Sequence, residues 1–215
     1  MAVTQNTLIG RSRGSVGGVT FTKWKGLNVI KSKPEEVENP QTIPQQTQRN
    51  RLSLMVSIYR SISALIQVGF KELAINQSEY NSFVSENIQS ATTVSVAPAV
   101  DLDPQNLVVA KGPLSPTVIS SASATDGSAD VTINFANTAT APDQALSDLA
   151  YAMCINASTQ EFGQALGTDL RSDGSIVVQL PGTATAGDEI DCYLFFKEDG
   201  SDRVSDSSYL MTTAV

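Results

Sequence analysis

The chain has 215 residues, 41% apolar, 6% aromatic and 17% charged, with 14 Lys/Arg against 22 Asp/Glu and a net charge of −8. This length suits one ordinary domain with an extension, or two small domains. Histidine is absent, which excludes Ser-His-Asp and Cys-His catalytic arrangements.

The charge is divided along the chain. Residues 1–75 carry ten Lys/Arg against four Glu, a net of +6, and residues 76–215 carry four Lys/Arg against 18 Asp/Glu, a net of −14. Such asymmetry predicts two modules with different surroundings, the acidic one solvated and the basic one seeking an acidic partner or a sister subunit. The first residues, MAVTQNTLIGRSRG, offer no apolar stretch of the signal-peptide kind, so synthesis in the cytoplasm without export is expected. No apolar run approaches the roughly 20 residues that cross a bilayer, so no membrane partner is expected.

Residues 10–18, GRSRGSVGG, read as a glycine-rich basic lead-in. A P-loop is excluded there, because no GK[ST] follows and no helix is expected next. The alternating runs VTFTKW and LNVIKSKP flank Lys25-Gly26, which predicts a β-hairpin. Neither face of it is cleanly apolar, so it needs another surface to pack on. Pro34, Pro40 and Pro44 then mark an extended linker.

A helix is expected from Gln45, with Pro44 in its first turn and Gly69 at its end or kink. Leu52, Met55, Ile58, Tyr59, Ile62, Leu65 and Ile66 follow the spacing of one apolar face. Ser78 is the expected N-cap of a second, short helix over 79–87.

After Ser90 the period becomes two. The segments TTVSVA, NLVVAKG, PTVISSA, ADVTINFA, LAYAMCINA, SIVVQLP, DEIDCYLFFKED and SSYLMTTA are parted by turn residues such as Asp126-Gly127, Pro181-Gly182 and Asp199-Gly200. The pattern predicts a mainly β protein: an immunoglobulin-like or fibronectin-like β-sandwich over 91–215, preceded by the hairpin arm and amphipathic helices of 1–90. Cys154 and Cys192 fall in expected strands, either as two buried thiols or, in an oxidising compartment, as a disulfide between strands.

Most acidic residues sit in turns, among them Asp126, Asp143, Asp173, Asp188, Asp199, Asp202 and Asp206, where solvated turn chemistry accounts for them. The EDGSD stretch lacks the spacing of an EF-hand loop. No catalytic residue, cofactor or metal is therefore expected. The cations point to contact instead, and Arg11, Arg13, Lys23, Trp24, Lys25, Lys31, Lys33, Arg49 and Arg51 form the expected assembly interface. Nucleic-acid binding by the Lys-Trp-Lys segment is the weaker reading of the same residues.

The stretch GRSRGSVGGVTFTKWKGLNVIKSKPEEVENPQTIPQQTQRNRL, with YNSFVSEN and NLVVAKGPL further on, resembles a family of uncharacterised short proteins. That family is found in Bacteroidota and their bacteriophages, including crAss-like phages. The resemblance implies a virion structural component of the neck, collar, tail or capsid surface, partnered by copies of itself and other virion proteins. It carries over no catalytic residue. A bacterial surface adhesin or carbohydrate-binding module is the alternative, since sandwiches often display ligand loops.

Overall fold

Lys25 and Gly26 both adopt positive φ, 46° and 88°, the turn geometry that matches the twist of two antiparallel strands. In the computed structural model, which describes residues 2–4, 13–33 and 39–215, they join β3 (Val19–Trp24) to β4 (Leu27–Ser32). The expected hairpin is widened on both sides. β2 (Gly14–Val16) pairs with β3, and β1 (Ala2–Thr4) pairs with β4, giving the order β1-β4-β3-β2. Part of the glycine-rich lead-in is therefore strand, turning at Gly17, where φ is +57°. Val29 is the one buried side chain among those described in this sheet. Arg11, the Trp24 side chain and the 34–38 part of the expected linker lie outside the described residues.

Two compact units divide between Thr42 and Ile43, not after Ser90 as the change of period suggested. The reason is the packing of the helices. α1 (Ile43–Gly69) buries Met55, Ile58, Ile62, Leu65 and Ile66, and α2 (Glu79–Ser90) buries Phe83 and Asn87. Ser78 caps α2 as expected, its hydroxyl accepting from the Asn81 N–H at 3.2 Å. α1 is kinked at Ile62 (φ −126°, ψ 27°), between two serines, where Ser61 donates back to the Ser57 carbonyl. Leu52 is 44% exposed and does not join the buried face. By length and composition α1 could cross a bilayer, a feature that polar residues interspersed among the apolar ones hid from a search for continuous runs.

The helices share a hydrophobic cluster with Met153, Ile155, Tyr193 and Phe195. These four belong to β9 (Leu149–Asn156) and β12 (Glu189–Lys197). The alternate residues of the same strands, Ala150, Ala152, Cys154, Ile190, Cys192, Leu194 and Phe196, belong to a second cluster. That cluster also holds Val131, Ile133 and Phe135 of β8 (Asp130–Phe135), and Ile176 and Val178 of β11 (Ser175–Gln179). Side chains alternate between the faces of a strand, so β9 and β12 are buried on both faces.

The body is mainly β, with antiparallel sheets and two helices. β10 (Glu161–Leu170), β9, β12 and β13 (Ser208–Thr213) form one sheet in that order, and β11, β8 and β7 (Ile119–Ala124) form another. The chain end bridges them: Val215 donates to the Ala124 carbonyl and accepts from the Asp126 N–H. A two-residue pair, β5 (Thr92–Thr93) with β6 (Asp101–Leu102), is all that forms of the TTVSVA strand.

The NLVVAKG segment is not a strand. Asn87 of α2 accepts from the Val108 N–H at 2.7 Å and donates to the Val108 carbonyl at 2.9 Å. One buried amide thus does the work of a neighbouring strand, while Leu107, Val109 and Ala110 enter the helix-side cluster. The crossing is so close at Gly69 that a Cβ there would lie 2.6 Å from the Val109 carbonyl oxygen.

Asp191 points to the helix-covered side of β12 and is 4% exposed. It accepts from the Tyr209 hydroxyl at 2.7 Å. Burial raises its pKa, against the opposing pull of that hydrogen bond. The folded state then holds the Asp191 proton more tightly than the unfolded state. Its contribution to stability is complete at acid pH and falls as pH rises from the ordinary carboxylate value through the raised one.

Phe83→Ala, in α2, should lose about 3–5 kcal/mol of stability in urea unfolding, and a fragment lacking residues 1–90 should aggregate where one lacking 1–42 melts cooperatively. Asp191→Asn should match or exceed the parent in stability at neutral pH, the difference shrinking as pH falls through the raised value toward about pH 4; unfolding curves at neutral pH and near pH 4 would check it.

Candidate functional site

The nine residues expected at the interface do not share one element. Arg13, Lys23, Lys25, Lys31 and Lys33 lie on or beside the four-stranded sheet, and all five are exposed. Strand alternation puts Lys23 with Phe21 and Ile30 on one face, and Lys31 with Val29 on the other. Arg49 and Arg51 belong to α1, in the other unit. Five of the expected cations therefore gather on or beside one small sheet, and the sequence did not show that Lys23 and Lys31 fall on opposite faces of it.

Side chains of Arg13, Lys23, Lys31 and Lys33 make no hydrogen bond or ion pair among the described residues. The carboxylates of the body behave differently. Asp143 accepts from the Ser115 N–H at 2.7 Å, Asp173 from Leu170 at 2.8 Å, Asp126 from Ala186 at 3.0 Å and Asp206 from Gly112 at 3.1 Å. Asp188 accepts from the Thr185 N–H and from the Asn156 amide. Hydrogen bonds from Ser115 lower the Asp143 pKa, and those from Thr185, Asn156 and Ser158 lower that of Asp188. Their contribution is present above the ordinary carboxylate range and is lost as pH falls through the lowered values.

On α1, Arg49, Leu52, Ser53, Val56, Ser57 and Arg60 line a recess of about 510 Å³. The sequence reading misses this patch because it places Leu52 on the core face. The lining residues lie three and four apart, the spacing of one helical face, and that spacing is the signal that could have found it.

The body also holds a buried ion pair. Arg171 Nε lies 3.2 Å from Asp148 Oδ2, both side chains fully buried. The guanidinium stands 3.9 Å over the Phe196 ring and donates to the Thr117 hydroxyl. Burial lowers the Arg171 pKa, against the pull of Asp148. The pair ties three distant loops together and is sealed from solvent, so it acts as a clamp and not as a reaction centre.

Cys154 and Cys192 are cross-strand partners on β9 and β12. Their thiols are free, buried and 3.5 Å apart. Burial holds the Cys154 thiol well above its ordinary value, so little nucleophilic thiolate forms. Among the described residues no three His, Cys, Asp or Glu side chains converge on a possible metal position. In the EDGSD stretch, Asp202 pairs with Lys71 at 2.9 Å.

What this arrangement can do is bind by charge and shape: a cationic sheet with little core of its own, and a body whose turns are fastened by carboxylates. No curated protein matches the chain. A family model does, over residues 11–211, and by that match the chain belongs to DUF6266, a family of unknown function.

Proposed function

We propose that this protein is a non-enzymatic structural component of a bacteriophage virion, at the neck, collar, tail or capsid surface, that assembles with copies of itself and other virion proteins through its basic amino-terminal sheet. The observation that carries the reading is the contrast in how the two signs of charge are used. Acidic groups of the body are engaged in its own turns. Four cations of the sheet have no described partner, and the sheet buries one described side chain. A two-faced cationic sheet of this kind gains stability when acidic, partly apolar surface covers it.

The strand order supports an immunoglobulin-like body of the fibronectin kind. Seven strands from β7 to β13 divide as β11-β8-β7 and β10-β9-β12-β13. Lettered A to G, these are E-B-A and C′-C-F-G, with the fourth strand beside C instead of in the A-B-E sheet. The cysteines depart from the antibody pattern, standing on adjacent strands of one sheet instead of bridging two sheets.

Sedimentation of the full chain tests the assembly. The parent should run as a discrete oligomer that shrinks as salt rises, because exposed charge pairs are screened. Lys23→Glu, Lys31→Glu and Lys33→Glu together should weaken self-association by at least about tenfold while leaving the melting temperature of the body unchanged. A parent that sediments as a 22.8 kDa monomer at all concentrations would end the reading, and mass spectrometry of purified particles would test the virion placement.

A further inference from the structure

Beside α2 the body has a groove of about 310 Å³, walled by Glu86, by the 105–111 segment and by Asp206, Ser207 and Tyr209. A second recess of about 400 Å³ shares Lys111 and Asp206 with it. Ligand sites in proteins start at about this size, roughly 300 Å³, and are mostly formed before the ligand arrives.

The walls are held in place from behind. Asn87 bonds both polar groups of the Val108 backbone. Ser207 accepts from the Val109 N–H at 3.1 Å, and Asp206 Oδ1 accepts from the Gly112 N–H at 3.1 Å. The Tyr193 hydroxyl donates to the Pro104 carbonyl at 2.6 Å, fixing the turn that presents Gln105. Tyr209 is held by Asp191 and rests against Tyr193, ring centroids 5.3 Å apart.

Capacity remains after these bonds are made. The Gln105 amide, exposed, has no hydrogen-bond partner among the described residues, and Asp206 Oδ2 and the second carboxylate oxygen of Glu86 are not used. Lys111 pairs with Glu86 and has further N–H groups to give. The lining thus mixes donors and acceptors with a half-buried aromatic ring.

Its charge narrows the ligand. An anion would face two carboxylates with one ammonium in reach. A cation would compete with Lys111 for both. Hydroxyl groups, which donate once and accept twice, use both kinds of partner with no net charge to compensate, and the Tyr209 ring offers an apolar surface to C–H groups.

We infer that this groove binds a neutral pyranose unit, with Gln105, Lys111 and Asp206 as hydrogen-bonding residues and Tyr209 as the ring contact. The inference does not rest on the assembly reading, since the groove lies wholly within the body.

Saturation-transfer NMR on the full chain, with methyl glycosides of glucose, galactose, mannose and N-acetylglucosamine as probes, tests it. Transfer to the ring protons of at least one glycoside is expected. Affinity should fall by about tenfold or more in Gln105→Ala with Asp206→Asn, a pair that keeps an oxygen for the Gly112 N–H. Gln105→Ala alone, at an exposed position, should also weaken binding and guards against a folding defect in the pair. No transfer with any of the probes would overturn the inference. So would binding that the variants leave undiminished, or binding of glucose 6-phosphate or an arginine amide in place of the neutral sugars.

Discussion

Strands β9 and β12 have almost no polar face to turn toward water: seven consecutive residues of β12, Ile190 to Phe196, are buried, and so are five of β9, Ala152 to Asn156. A strand that is apolar on both sides must be covered on both sides. The three-stranded sheet covers one face and the two helices cover the other, and the rest of the body is arranged around that need. The helices are therefore part of the body and not a tether for it. Asn87, buried at the centre of the helix-side layer, fastens the one segment there that has no strand to pair with. Gly69 lets that segment pass close enough for the layer to close.

How polar groups are treated inside these layers reflects the same constraint. Most are matched, as desolvation demands, although Asp148 Oδ1 and Arg171 Nη2 have no hydrogen-bond partner among the described residues. Arg171 and Asp148 face each other, and Asn87 saturates a backbone unit. Asp191 is the exception in kind: a carboxylate on the helix-covered face with a single tyrosine hydroxyl as its described partner. Exposed carboxylates gain from the turn N–H groups they accept, whereas Asp191 is penalised by its burial, so the two kinds respond to pH in opposite senses.

Much of the fold was legible because its signals are local. Lys25-Gly26 can only be a tight turn between alternating runs, Ser78 can cap the helix that begins at Glu79, and ADVTINFA and SIVVQLP alternate as they should. β10 escaped because Gly163 and Gly167 break its pattern. Gly167 sits at φ +63° beside a register shift, where a Cβ would meet the Tyr151 ring at 2.6 Å. NLVVAKG reads as a strand because the residue that keeps it from being one is Asn87, about twenty residues away, and propensity carries no information about such a partner. The unbroken apolar run YLFF of β12 departs from the alternation of its neighbours, as a strand covered on both faces does. Of the sites, the cations were readable as charge and not as faces. The groove beside α2 was unreadable, because Glu86, Gln105, Lys111 and Asp206 converge only through folding.

The charge asymmetry along the chain has two separate physical origins. Acid in the body comes from its many turns: a short carboxylate is the side chain best suited to accept the N–H groups a turn leaves over, and Asp126, Asp143, Asp173, Asp188 and Asp206 are each used that way. A mainly β body with this many turns becomes acidic without any ligand requiring it. Base in the amino-terminal sheet has no such internal use, since Arg13, Lys23, Lys31 and Lys33 fasten nothing among the described residues. Lysine on small exposed sheets also keeps unwanted strands from adding at an edge. Lys23 and Lys31 stand at positions of β3 and β4 that the described pairing with β2 and β1 does not reach, so they suit that purpose as well, while strand alternation sets them on opposite faces of the sheet. In the proposed assembly those two faces would meet acidic surface, such as the body of a second copy.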